Sequence, residues 1–367
     1  MSKHKINDFF CGAGGMSLGF KQAGFEIAGA WDFDKYAVQT YKANVGDHVK
    51  QADITQMMWS DVPKADVWTF GFPCQDLSVA GKRAGLFEGK RSGLFFEVMR
   101  LLGETRKNAP DNLPAIIMAE NVKGLRPYLD VLKEEYRKQG YIMKYALFNS
   151  KYWGVPQNRE RYFVVGIRED LPQDFNFPIQ QTDFIPKLSS VLQESVDEKY
   201  YISEEKAQKI IDQALQQKVI ESPFIEQNNE PIFYPATVDG ISHALNTRPR
   251  CHPSELNKKV GKVVIEPIVV SNKATKLKGA AEQSHTLLAR DYKGFGNQEM
   301  NAVLHGHRVR RLTPREYARL QGFPDDFKQV VSDTQFYKQM GNAVTVNVAK
   351  AIAGNISEYL NRLSERE

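Results

Sequence analysis

Short apolar runs alternate with stretches of three- and four-residue apolar spacing through the first half of the chain. The runs 6–10, 25–31, 67–72, 115–119, 145–149 and 162–167 are rich in Ile, Val, Phe and Tyr and predict β-strands. Helical spacing starts near Met16 and recurs over 35–43, 94–107 and 128–139. Strand–helix alternation of this kind predicts an α/β fold: a doubly wound, mostly parallel sheet with helices on both faces. The pattern weakens after about Arg168. The stretch 170–186 is rich in Pro and Gln and reads as a linker, 204–217 as a polar, acidic helix, and 263–270 as the clearest of several short β-prone pieces. Helix signals return at Thr313-Pro314-Arg315-Glu316, which has a Thr N-cap, Pro in the first turn and Glu three residues after the Thr. The final helix is predicted over 344–363.

Composition narrows this picture only modestly. The 367 residues suffice for a large domain and a smaller, irregular, β-rich one, placed at 1–185 plus 313–367 and at 186–312 respectively. There is no apolar run long enough to span a membrane, and Met1–Lys5 leads straight into the first strand without a signal-peptide pattern. Cys11, Cys74 and Cys251 form no disulfide framework, so a cytoplasmic protein is expected. The net charge of +5 is unevenly spread. Residues 187–235 hold 5 Lys/Arg and 9 Asp/Glu, whereas 236–312 hold 13 and 6. The second block suits contact with a polyanion, although a solvated basic surface gives the same count.

Six segments carry candidate chemistry. In Asp8-Phe9-Phe10-Cys11-Gly12-Ala13-Gly14-Gly15, glycines between a strand and a helix permit close backbone approach to a ligand at a helix N-terminus. Asp32 follows the second strand and is placed to accept from ribose hydroxyls, while Asp53, with Ile54, ends a third strand near an adenine amino group. The glycines do not follow the dinucleotide spacing, which disfavours a nicotinamide dehydrogenase. Gly71-Phe72-Pro73-Cys74-Gln75 lies at a strand exit, where such sheets place their sites, and a Gly-, Lys- and Arg-rich loop over 76–93 follows. Cys74 is there either a nucleophile or a small buried thiol. Glu120-Asn121-Val122 follows the next strand, as a carboxyl facing Cys74 or as a helix cap. Gln157-Asn158-Arg159-Glu160-Arg161 puts two arginines two residues apart, pointing the same way in an extended segment. Leu320-Gln321-Gly322-Phe323-Pro324 reads as mainly structural, and Gln339-Met340-Gly341-Asn342-Ala343-Val344 as a helix boundary. A weak internal echo links Ser242–Arg248 with Ser284–Arg290.

In this order the six segments resemble the DNA (cytosine-5) methyltransferase family of bacteria and phages, with 8–168 and 309–348 matched and 169–308 standing where members carry a target recognition domain. The resemblance implies S-adenosyl-L-methionine as methyl donor, surrounded by Phe10, Gly12, Gly14, Asp32, Phe33, Asp53, Ile54, Pro73, Leu94, Asn342 and Val344. Phe33 replaces a common Trp, and Ala343 a Ser of some members. The resemblance also implies that Cys74 adds to carbon 6 of a flipped cytosine while Glu120 serves ring nitrogen 3. Arg161 then binds the ring oxygen, Arg159 orders Glu120 or a phosphate, and Asn121 positions the Pro73-Cys74 segment. Double-stranded DNA is the expected partner, contacted by Gln75, Lys82, Arg83, Arg248, Arg250, Thr286 and Arg290. Thr286-Leu287 is similar to the Thr-Leu pair of members' recognition domains. A monomer protecting DNA from a cognate restriction endonuclease is the expected setting, and no metal is expected. A transfer-RNA cytosine methyltransferase and a non-catalytic DNA-binding regulator are the alternatives. The recognition sequence is not readable from these residues.

Overall fold

The computed structural model describes residues 3–72, 93–203, 205, 264–270, 277–280, 284–287, 289, 300–305 and 308–366. Pro73, Cys74, Gln75, Lys82, Arg83, Arg248, Arg250 and Arg290, the acidic helical stretch 204–217 apart from Glu205, and the first copy of the internal echo lie outside the described residues.

Apolar runs in the first half build a seven-stranded sheet. Its strands are β1 (Lys5–Phe9), β2 (Glu26–Asp32), β3 (Val49–Gln51), β4 (Val67–Phe70), β5 (Ile116–Val122), β6 (Tyr141–Asn149) and β8 (Glu160–Arg168), in the order β3-β2-β1-β4-β5-β8-β6. All pairs from β3 to β5 are parallel, and β8 runs antiparallel to both β5 and β6. The carboxyl ends of β1, β4 and β5 therefore share one edge with the amino end of β8. That edge is where an open α/β sheet collects ligands.

Both faces of the sheet are covered, which is why β4 is buried at all four positions. On one face Phe9, Trp68, Phe70 and Ile117 pack with helices α3 (Leu94–Asn108) and α4 (Leu129–Lys138), through Phe95, Val98, Leu102, Leu132 and Tyr136. Neighbouring strand positions Val67, Ile116 and Met118 turn to the other face. There they meet α1 (Gly15–Gln22) and the C-terminal helix α7 (Val346–Ser364), through Met16, Phe20, Ile352 and Ile356. Each fully buried side chain of this kind contributes about 1.5–3 kcal/mol. α7 approaches α1 so closely that a Cβ on Gly19 would lie 2.6 Å from Ala349 Cβ. The two ends of the chain thus close one layer. Helix α2 (Lys35–Asn44) packs beside β2 and β3.

The predicted start of the late helices holds. In α5 (Pro314–Leu320), Thr313 and Glu316 form a reciprocal capping box, and α6 (Asp333–Asn342) follows. Several boundaries move. β5 runs through Glu120 and Asn121 instead of ending before them, because its pairing with β8 continues to Val122↔Arg161. β6 begins at Tyr141, and β3 stops at Gln51, so Asp53 caps a short 3-10 turn, Ile54–Gln56. The stretch 170–186 is more than a linker. Gln180 brackets the free edge of β6, accepting from Asn149 N at 2.9 Å, and Phe175 is buried against α7.

The later middle contributes a four-stranded antiparallel sheet in the order β10 (Leu277–Ala280), β9 (Val264–Val270), β12 (Met300–His305), β13 (Arg308–Arg311). The two-residue strand β11 (Ser284–His285) pairs in parallel with β7 (Gln157–Asn158). Leu188, Val191 and Tyr200, expected in the recognition domain, share a core with Leu312, Tyr317, Phe336 and Met340. Packing therefore changes later than residue 186.

Candidate active site and cofactor cleft

At the β1 exit the chain turns sharply. Phe10 has φ +55° and Gly12 φ +56°, a left-handed conformation that costs a Phe more than a Gly. Nothing lies within 4 Å of where a Cβ on Gly12 would stand, so the backbone there faces open space. Gly12 N donates to Asp32 Oδ2 and Asp34 N to Asp32 Oδ1, each at 2.8 Å. The carboxylate expected to bind a ribose therefore also pins the glycine turn. Burial pushes the Asp32 carboxyl up, against the pull of those two N–H groups. Phe33 follows, 72% exposed, and Asp53, also exposed, accepts through Oδ1 from Thr55 N and Oγ1. Leu94 and Phe10 are half-buried on the α3 side of the cleft, Val344 is half-buried and Asn342 exposed.

Glu120 is 8% exposed near the end of β5. Arg161 enters from the start of β8 on the same face of the sheet, and its Nε lies 3.2 Å from Glu120 Oε1. Burial pushes the Glu120 carboxyl up, while the Arg161 and Arg159 charges pull it back. Its other oxygen faces Gly71, 3.8 Å from where a Cβ there would stand. Asn121 Nδ2 donates to Phe72 O at 3.0 Å, which ties the segment leading to Pro73 and Cys74 to the neighbouring strand. The helix-cap alternative for Glu120-Asn121 is thereby excluded. Cys11, the one free thiol among the described residues, is the inert kind: it is buried, and burial pushes its ionisation well up.

The two arginines do not point the same way. Arg159 precedes β8 rather than lying in it. Its guanidinium donates to Gly341 O at 3.2 Å, Ala343 O at 2.9 Å and Leu287 O at 3.5 Å. It clamps the Asn342 loop and the Thr286-Leu287 segment to the start of β8. Thr286 Oγ1 donates to Asn158 O at 2.8 Å, and Leu287 is buried among α5 and α6. The Gln321 motif is structural, as read: Gln321 Nε2 donates to Met340 O, and its Oε1 accepts from Thr345.

The family model for C-5 cytosine-specific DNA methylases matches residues 4–358. The chain belongs to that family. Members of it are DNA methyltransferases, and the fold is shared with solved methyltransferase structures. The Type II methyltransferase M.NlaX of Neisseria lactamica is 33% identical, over 99% of each chain. The Orphan methyltransferase M.SPRI of Bacillus phage SPR is 29% identical over the full length of both. Among solved structures, the methyltransferase EhMeth of Entamoeba histolytica superposes with a TM-score of 0.66 at 16% identity, covering 100% of both chains. Among the described residues, no helix is long and apolar enough to cross a membrane.

Sequence reasoning gave no role to Asp8, which it quoted only within the glycine motif, and missed Thr69 and Tyr41; these buried polar residues bond to one another or through Ser17 beneath the glycine turn. No motif spacing links them, since Thr69 lies 61 residues from Asp8.

Proposed function

We propose that this member of the family methylates carbon 5 of a cytosine turned out of duplex DNA, with Cys74 as nucleophile, Glu120 as acid and Arg161 as donor to the ring oxygen. The observation that carries the reading is the β5 exit. A buried carboxyl paired with an arginine stands beside the strand that leads to Cys74, and Asn121 holds the carbonyl two residues before that cysteine. Carbon 5 of cytosine is too weak a nucleophile unaided. Addition of the Cys74 thiolate at carbon 6 makes the ring an enamine. The addition is eased when Glu120 donates a proton to ring nitrogen 3, and a carboxyl whose pKa burial has raised keeps that proton available nearer neutral pH. Arg161 draws charge from the ring oxygen while holding Glu120 in place. Once carbon 5 has taken the methyl group, its proton passes to water, the nitrogen 3 proton returns to Glu120 and Cys74 leaves as thiolate. The base must leave the stack for both ring faces to be reached.

S-adenosyl-L-methionine supplies the methyl group. The open backbone at Gly12, the Asp32 carboxylate, the exposed Phe33 ring and Asp53 fit its nucleoside, with Phe10, Ile54, Pro73, Leu94, Asn342 and Val344 around them. We assign the later middle of the chain, beyond the segment 188–200 that packs with α5 and α6, to target recognition, with Arg248, Arg250, Thr286, Arg290, Gln75, Lys82 and Arg83 as the residues on DNA. A monomer protecting cytoplasmic DNA from a cognate endonuclease completes the reading. Type II and orphan enzymes both stand among the relatives, so the endonuclease is a property to be found in the host.

The test is Cys74→Ser. Transfer of labelled methyl groups to duplex DNA is expected to vanish while S-adenosyl-L-methionine still binds. Turnover at the normal rate would overturn the nucleophile assignment, and wild-type transfer to transfer RNA with none to DNA would overturn the substrate. Bisulfite sequencing of DNA from expressing cells identifies the target.

A further inference from the structure

Beneath the glycine turn runs a chain of buried polar groups to which the reading above gives no role. Ser17 Oγ donates to Asp8 Oδ2 at 2.6 Å, and Thr69 Oγ1 donates to Asp8 Oδ1 at 2.9 Å. Tyr41 Oη donates to Ser17 Oγ at 2.8 Å, which leaves its oxygen to accept from His48 Nε2 at 2.9 Å. Asp8, Ser17, Thr69 and Tyr41 are all 1% exposed or less, and His48 is half-buried at the outer end. Four elements meet here. Asp8 is on β1, Ser17 on α1 just after the turn, Thr69 on β4 just before Gly71-Phe72, and Tyr41 on α2. Asp8 thus ties the cofactor turn to the strand that delivers the nucleophile.

The charged and titratable groups around it are few. Cys11 and Asp32 face Asp8 from the turn and from β2, and Tyr41 from α2. His48 itself faces Lys21 and Asp47. Among them are an acid and a thiol but no cation beside Asp8. Burial pushes the Asp8 carboxyl up to about 7, offset in part by the Ser17 and Thr69 bonds and reinforced by Asp32. S-adenosyl-L-methionine, with its sulfonium, carries net positive charge at neutral pH.

We propose that Asp8 is a positioning residue of the cofactor site whose ionisation is coupled to cofactor binding. The cation favours ionised Asp8, and ionised Asp8 accepts most strongly from Ser17 and Thr69, fixing the turn and the β4 exit together. The inference rests on the cofactor reading above. The sign follows from linkage. Below pH 7 the free protein holds the proton, so binding must expel it and affinity is weakened, whereas above pH 7 nothing need be expelled. If binding lowers the Asp8 pKa by about one unit, affinity rises about fivefold from pH 6 to pH 8 and about 0.4 proton is released at pH 7.

The experiment is isothermal titration of the full chain with S-adenosyl-L-methionine at pH 6, 7 and 8, in two buffers of different ionisation enthalpy. The comparison between wild type and Asp8→Asn cancels the cofactor's own titration. The expected result is loss of the fivefold component and of the proton release in Asp8→Asn, with both retained in His48→Gln. Equal pH dependence in wild type and Asp8→Asn would overturn the proposal, as would its loss in His48→Gln. If Asp8→Asn does not fold, Thr69→Val serves in its place. It removes a bond that favours the ionised form, so the midpoint of the pH dependence must move up, and an unmoved midpoint overturns the proposal. Wild type that binds no cofactor at any pH would overturn the cofactor reading as well, which separates the two failures.

Discussion

Glu316 offers the sharpest test of how the C-terminal motifs are held. Its carboxylate is wholly buried and accepts four hydrogen bonds. Two come from Arg310, at 2.8 and 2.9 Å, one from Thr313 N at 2.7 Å and one from Gln193 N at 2.8 Å. It therefore joins β13, the start of α5 and the segment after Val191. Glu316→Ala leaves the Arg310 charge, itself 2% exposed, without its counter-ion and two backbone N–H groups without acceptors. Breaking one side of a buried pair costs about 3–5 kcal/mol, and each orphaned N–H about 1–3 more where water cannot reach it. Some relaxation is certain, so about 5 kcal/mol is the expected loss. Against a typical total of about 5–15 kcal/mol that is a third or more of the stability. Equilibrium urea unfolding, followed by tryptophan fluorescence and by circular dichroism, measures it, with coincident curves checking two-state behaviour. The double variant Arg310→Met/Glu316→Leu removes both charges and must cost clearly less than the sum of the single changes. A loss below about 1 kcal/mol in Glu316→Ala, or additivity in the double variant, would refute the reasoning.

Two further outcomes test the site and its frame. Asn121→Ala removes the bond to Phe72 O, so methyl transfer is expected to slow by about 10–100-fold, as for about 1–3 kcal/mol of lost positioning, while cofactor affinity measured by titration is unchanged. An unaltered rate would show that the bond does not position Cys74. Gly19→Val drives a side chain into Ala349 and Lys350 N, so thermal unfolding should show a loss of about 1–3 kcal/mol through α7, and an unshifted melt would contradict the observed contact.

The strands and helices of the first half were legible because each must bury a face, and burial imposes its period on the residues. Where the period is broken by chemistry the reading shifted. Glu120 and Asn121 have low strand propensity, yet they extend β5 because β8 pairs with them through Phe163 and Tyr162, an effect of residues far away in sequence. Gln180 and Phe175 were read as linker because nothing local announces that the β6 edge needs covering. The candidate site residues were legible by kind but not by direction. Arg159 and Arg161 look equivalent in an extended segment, and carbonyls distant in sequence, those of Leu287, Gly341 and Ala343, engage the first.

That division of labour between the arginines bears on how Glu120 works. Two cations stand near the carboxyl, yet its pKa is raised, so desolvation outweighs them. Had both guanidinia reached the carboxyl, their pull toward its ionised form would be stronger. Arg159 instead spends its donors on main-chain carbonyls and acts on Glu120 only at a distance. Arg161 pairs with one oxygen at 3.2 Å, leaving the other turned toward Gly71, just beyond β4. The oxygen free of the ion pair is the one that the proposed reaction would use to hold a proton. Diverting Arg159 to the carbonyls of Gly341 and Ala343 thus leaves desolvation the larger influence on the Glu120 carboxyl.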